Sequence, residues 1–175
     1  HTILLGGADY MFFNNLTVIG TGSAGHACHL YNNSDNNQFI GCVFTLPANT
    51  TVTNMYPVSL SGSATTVLSS GSGGNNNVWN GCTINSGRYG VVFYGAGNTG
   101  NQVINCNILD FYQRGIYQYN CNGSIFRSNL LERLNRTTVT TTYGIFIDYS
   151  PGTSTIVERN KIRRMFAGAL SSTNQ

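Results

Sequence analysis

The stretch Val103 to Ile108, VINCNI, is one copy of a unit that recurs along the whole chain. Its order is an apolar residue, a turn residue, a small residue and a second apolar residue, here Val103, Asn105, Cys106 and Ile108. The same order stands in Phe39, Gly41, Cys42, Phe44 and in Trp79, Gly81, Cys82, Ile84. It returns in Phe126, Ser128, Asn129, Leu131 and in Val157, Arg159, Asn160, Ile162, with a looser copy in Phe13, Asn15, Leu16, Val18. Counted at the small position, the intervals are 26, 40, 24, 23 and 31 residues. A period as short as the smallest of these excludes paired-helix repeats, and the leucine signature of a horseshoe is missing. Stacked rungs of short strands, a parallel β-solenoid, remain, and the copies predict about six rungs.

A second element recurs between the copies: ACHLY at Ala27, PVSLS at Pro57, GVVFY at Gly90, GIYQY at Gly115, GIFID at Gly144 and GALSS at Gly168. Strand alternation within it points Val91 and Phe93, Ile116 and Gln118, Ile145 and Ile147 inward. The short corner inside each copy holds Asn15, Gly41, Gly81, Asn105, Ser128 and Arg159. A one-residue corner needs a left-handed backbone, which Gly adopts freely and Asn tolerates. Of the five cysteines, Cys42, Cys82 and Cys106 share the small position, where a compact buried side chain stacks on its neighbours. Parallel stacking gives poor disulfide geometry, so these, with Cys28 and Cys121, are expected to be free thiols. Asn129 and Asn160 continue the stack and are expected to bond along the axis through their amides.

Charged residues make up 9% of the 175, far below the roughly 25% of ordinary domains, and the net charge is +3. The cations cluster only at Arg127 to Arg136 and Glu158 to Arg164, which gives no continuous basic track for nucleic acid. No apolar run approaches the roughly 20 residues of a membrane-spanning helix, and the opening HTILLGGADY lacks the features of a signal peptide.

The units GIYQYN...SIFRSNLL and GIFIDY...STIVERNKI resemble the repeats of right-handed parallel β-helix proteins, the pectin-lyase-like group. The resemblance covers nearly the whole chain and implies an all-β fold with three short strands per rung. It also implies contact with polysaccharide, because the group includes pectate lyases, polygalacturonases, alginate epimerases, phage tailspikes and surface adhesins. Neither the acidic calcium cluster of pectate lyases nor the adjacent aspartates and His-Gly of polygalacturonases is found here. The fold alone does not choose a reaction, and no cofactor is implied.

A single domain over residues 1–175 is therefore expected, with loops projecting at about 45–56, 61–77 and 132–143. The first and last of these leave by the same corner, on either side of short turns at NSGRY and LDFYQR, and predict two walls around a shallow cleft. The Ser/Gly-rich 61–77 insertion reads as mobile.

The outward positions of the second stack are His29 and Tyr31, Ser59 and Ser61, Val92 and Tyr94, Tyr117 and Tyr119, Phe146 and Asp148. Tyrosines at rung spacing suit a linear neutral glycan, offering a ring face and a hydroxyl; the same face also suits a subunit interface, as in a trimer. Arg88, Tyr112 and Arg114 stand beside the ladder. The carboxylates Asp110, Asp148 and Glu132 are the candidates for a glycosidase pair, to be tested by their separation, and a lyase would use Tyr or Arg for base and cation roles. His26 and His29 have no third ligand nearby in sequence, so no metal site is expected.

The expectation is a tailspike- or adhesin-like segment at a cell or virion surface. It would bind glycan or build a fibre, alone or as a homo-oligomer, with a polysaccharide lyase or hydrolase as the alternative. Opening and closing within a repeat, the sequence reads as part of a longer chain, since bare ends expose apolar cross-sections and strand edges.

Overall fold

The computed structural model describes residues 1–138, 140–152 and 154–168. Six rungs stack, each of three strands. The first holds β1 (Ile3–Gly6), β2 (Phe12–Asn14) and β3 (Thr17–Ile19); the second β4 (Gly25–Tyr31), β5 (Gln38–Ile40) and β6 (Val43–Thr45). The third holds β7 (Met55–Leu60), β8 (Val78–Asn80) and β9 (Thr83–Asn85); the fourth β10 (Tyr89–Tyr94), β11 (Gln102–Ile104) and β12 (Asn107–Leu109). β13 (Arg114–Tyr119), β14 (Ile125–Arg127) and β15 (Leu130–Glu132) form the fifth, and β16 (Tyr143–Asp148), β17 (Ile156–Glu158) and β18 (Lys161–Arg163) the sixth. Like strands pair in parallel into three six-stranded sheets. Sheet A runs β1-β4-β7-β10-β13-β16, sheet B β2-β5-β8-β11-β14-β17 and sheet C β3-β6-β9-β12-β15-β18. This is the all-β solenoid of about six rungs that the repeat predicts. The sixth copy of the second stack, GALSS, lies outside the described residues beyond Gly168.

Each sheet B strand turns into its sheet C strand at a single left-handed corner. The corner residues Asn15, Gly41, Gly81, Asn105, Ser128 and Arg159 all have φ between 53° and 66°. Only short polar side chains or Gly hold this conformation cheaply, which explains the Gly and Asn content there. Arg159 is the exception in type and bears the larger backbone cost.

The interior is built of residue columns along the axis. Phe13, Phe39 and Trp79 stack face to face at 4.8 and 5.2 Å, with Val103 and Phe126 continuing the register. Burying one such aromatic side chain stabilises the fold by roughly 1.5–3 kcal/mol. Cys42, Cys82 and Cys106 lie beside this column, and all five cysteines are buried free thiols. Burial pushes the Cys121 thiol up to about 12. The predicted amide stack follows them: Asn129 Oδ1 accepts from Cys106 N, and Asn160 Oδ1 accepts from both Asn129 N and Asn129 Nδ2, each at 2.9 Å.

A second amide ladder lies at the corner between sheets A and B and is not part of the repeat read from sequence. Asn77 Oδ1 accepts from Asn37 N and Nδ2, and Asn101 Oδ1 accepts from Asn77 N and Nδ2, at 2.9–3.0 Å. Each amide thereby holds the backbone of the rung below, and all three residues are fully buried. Within the ladder the Asn37 and Asn77 N–H groups each find an amide oxygen, as a buried corner requires.

In sheet A, two successive residues turn inward where each strand begins. Ala27 and Cys28 both belong to the core, so His26 and His29 both face out. The first inward position is Ala27, Pro57, Gly90, Gly115 and Gly144 in successive rungs. A Cβ on Gly90 would stand 2.5 Å from Ile108 Cγ2, and one on Gly115 2.6 Å from Leu131 Cδ2, so sheet C leaves no room for a side chain there.

The 61–77 insertion is not free of the body. Val67 is buried among Tyr56, Tyr89, Val92 and Tyr117 on the outside of sheet A. Ser72 and Gly73 carbonyls accept from Asn33 N and Ser34 N. The Ser/Gly composition signals mobility only when no surface receives the loop's apolar residues; here an aromatic face does. Among the described residues, no helix is long and apolar enough to cross a membrane.

Candidate functional site

The outer face of sheet A carries the aromatic residues in the register that alternation predicts. Val92 pairs with Tyr117 and Tyr117 with Phe146, while Tyr94 pairs with Tyr119 and Tyr119 with Asp148. A further outward column precedes them, made of His26, Tyr56, Tyr89, Arg114 and Tyr143 in successive rungs.

These residues do not form one open ladder. Tyr56, Tyr89 and Tyr117 are buried under Val67 and their own neighbours, and His29, Ser59 and Ser61 are fully covered. Arg114 seals the middle: its guanidinium lies 4.8 Å from the Tyr89 ring centre, 4.3 Å from Tyr117 and 4.4 Å from Phe146. Its Nη1 donates to Tyr89 Oη at 2.9 Å. Burial pushes both Tyr56 and Tyr117 up to about 12. Both therefore stay protonated near neutrality, the wrong state for the base of a lyase.

Two parts of the face stay accessible, Tyr143, which is 42% exposed, and the far edge. Tyr94 and Tyr119 stack at 4.6 Å with an interplanar angle of 22°, and both are half-buried, as is Phe146 beside them. Asp148 is exposed at the same edge. The hydroxyls of Tyr94 and Tyr119 make no hydrogen bond to the described residues. Tyr31 is half-buried with its ring laid over Gly6, and Arg88 donates to Gln113 Oε1 at 2.9 Å.

The predicted cleft is closed by its own walls. Arg136, from the 132–143 loop, donates to Thr50 O of the 45–56 loop, and Thr137 N donates to Asn49 Oδ1 at 3.4 Å. Arg136 is buried and lies 4.9 Å from the Tyr112 ring centre, so Tyr112 is a support for the bridge and not a floor. Arg133, also buried, donates to Phe111 O, Met165 O, Thr138 O and Thr142 Oγ1 and fixes the loop at its base. Two long loops meeting across a gap leave backbone carbonyls that a guanidinium satisfies better than water does.

Two of the three candidate carboxylates, Asp110 and Glu132, are committed to holding structure. Asp110 accepts from Asn135 N at 2.8 Å and Asn135 Nδ2 at 2.9 Å. Glu132 is buried and pairs with Arg163 and Arg164 at 3.0 and 2.8 Å. Asp148 stands at the opposite end of sheet A from Asp110. The length of one strand, about 16 Å for five residue steps, lies between them and exceeds the roughly 5–10 Å of a glycosidase pair.

A histidine cluster lies at the near edge. His1 falls one rung before His26, with Thr2 N donating to His26 O at 3.0 Å, and the ring centres of His1, His26 and His29 are 4.8–5.3 Å apart. The third histidine that sequence spacing does not supply thus comes from the neighbouring rung. Aligning His1 with His26 in the repeat would have found it.

A family model described as right handed beta helix region matches residues 1–175. The chain belongs to the right-handed β-helix family. No match was found among curated proteins or solved structures. This right-handed β-helix is thus of a carbohydrate-related or structural kind, and the Tyr94 and Tyr119 edge is a partly accessible aromatic surface on it.

Proposed function

We propose that this β-helix displays the Tyr94, Tyr119 and Phe146 edge at a cell or virion surface to bind a neutral glycan. The observation that carries the reading is the Tyr94–Tyr119 stack, two preordered rings with hydroxyls that the described protein does not engage. A sugar ring offers CH groups to such faces and hydroxyls to such oxygens, and rings already fixed by packing lose little entropy on binding. Binding is favoured over cleavage because Asp110 and Glu132 already hold loops and arginines.

Electrophoretic retardation in gels cast with neutral polysaccharides tests this, together with an assay for released sugar. Retardation that is lost in Tyr94→Ala and Tyr119→Ala, with no product released, supports it. Product release abolished by Asp148→Asn would establish the enzymatic alternative. A trimeric mass that falls to that of a monomer in Tyr119→Ala would make the edge a subunit interface instead.

A further inference from the structure

We propose that His1, His26 and His29 bind one first-row divalent cation of the zinc class, with the fourth coordination position open to the adjoining cavity. One ring nitrogen from each histidine lies within 4.8 Å of the others. Tetrahedral coordination with metal–nitrogen bonds of about 2.0–2.1 Å needs separations of roughly 3.3 Å, a small side-chain adjustment from this arrangement.

The hydrogen bonds around His29 fix its tautomer. Ser61 Oγ donates to Ser63 O at 3.2 Å, so at its 2.9 Å contact with His29 Nε2 the serine oxygen accepts. The neutral imidazole then carries its proton on Nε2, and Nδ1 presents a lone pair to His1 Nε2 at 2.9 Å. An imidazole whose N–H is held by a hydroxyl and whose other nitrogen keeps its lone pair is the arrangement in which metal-bound histidines are kept, and a cation would take the place of the His1 Nε2 proton that Nδ1 accepts.

His26 supplies the second, independent observation. Its ring is buried, its Nδ1 is shut off from solvent, and that atom has no hydrogen-bond partner among the described residues. A buried polar atom left unpaired is costly, and it marks His26 as a member of the cluster whose ring the described residues leave unsatisfied.

Beside the cluster is a cavity of about 220 Å³ lined by Gly20, Thr21, Gly22, Ala24, His1 and His26. It has room for water or a small ligand on the fourth position. The all-imidazole donor set selects zinc, cobalt, nickel or copper over magnesium and calcium, which need oxygen ligands.

The test is titration of the full chain with Co2+, followed by Zn2+ competition, in wild type and four variants. One equivalent of Co2+ with the visible spectrum of a tetrahedral site, displaced by Zn2+ and not by Mg2+, is the expected result. His26→Gln and His29→Gln should each weaken binding by more than about 100-fold, and Ser61→Ala by about 10–100-fold. His1→Gln, at an exposed side chain that leaves the core untouched, should abolish the tetrahedral spectrum while Trp79 fluorescence stays native. Absence of Co2+ and Zn2+ binding would overturn the proposal, as would binding unchanged by His1→Gln.

Discussion

Replacing Asn77 by Ala removes the middle of the corner ladder, and its cost can be worked from four bonds. The amide oxygen is the acceptor for Asn37 N and Asn37 Nδ2, and the amide nitrogen donates to Ser34 O and Asn101 Oδ1. Asn37 Nδ2 keeps Ala8 O, and Asn101 Oδ1 keeps Asn77 N. The Asn37 N–H, however, is left buried with no partner, at about 1–3 kcal/mol, and the other lost bonds add about 0.5–1.5 kcal/mol each. The total is about 2.5–7.5 kcal/mol, a large share of the roughly 5–15 kcal/mol that holds a domain folded. Urea unfolding followed by the fluorescence of Trp79, the one tryptophan and fully buried, reads this directly. With a slope of about 2 kcal/mol per molar, the midpoint should fall by about 1–4 M. Asn105→Ala is the comparison: its exposed amide donates only to Asn80, and the change costs about 1 kcal/mol through the left-handed corner. Equal losses in the two variants, or a loss under about 1 kcal/mol for Asn77→Ala, would refute the idea that the ladder holds the rungs in register.

Three further outcomes are expected. Tyr56 and Tyr117, raised in the fold to about 12 by burial, favour the folded chain fully below pH 10. That stability is lost as pH rises from 10 to 12, about 2–3 kcal/mol for each ring, so Tyr56→Phe should shift the midpoint of alkaline unfolding upward. None of the five cysteines should react with a thiol reagent in the native chain at pH 8, and all five should react in urea; rapid labelling of native protein would contradict their burial. Gly115→Ala, which sets a methyl group 2.5 Å from Gly144 O and 2.6 Å from Leu131 Cδ2, should cost about 1–3 kcal/mol by urea titration, and a neutral result would show that both the neighbouring strand and sheet C can move aside.

The features legible in sequence were those whose cause is local. A left-handed corner demands Gly or Asn wherever it occurs, so the corner residues line up as a column in the repeat itself. Inward alternation was likewise readable, even for the buried Gln118. The cysteine and asparagine stack showed because one residue type recurs at one position. The Asn37, Asn77 and Asn101 ladder was hidden because it stands among other asparagines and spans the longest insertion. What the insertions do was not legible, since composition cannot show which surface receives Val67 or which carbonyl receives Arg136. For the same reason the candidate cleft closed and most of the tyrosine face became covered. His1 escaped notice because its partners are one rung away, a proximity that only the register creates.

The proposed role of the Tyr94 and Tyr119 edge is tested most directly by NMR of the aromatic side chains during titration with a neutral oligosaccharide from the retarding polysaccharide. Shifts concentrated on Tyr94, Tyr119 and Phe146, with Tyr56 and Tyr89 unmoved, are predicted. Shifts confined to another face, or none at saturating sugar, would contradict it.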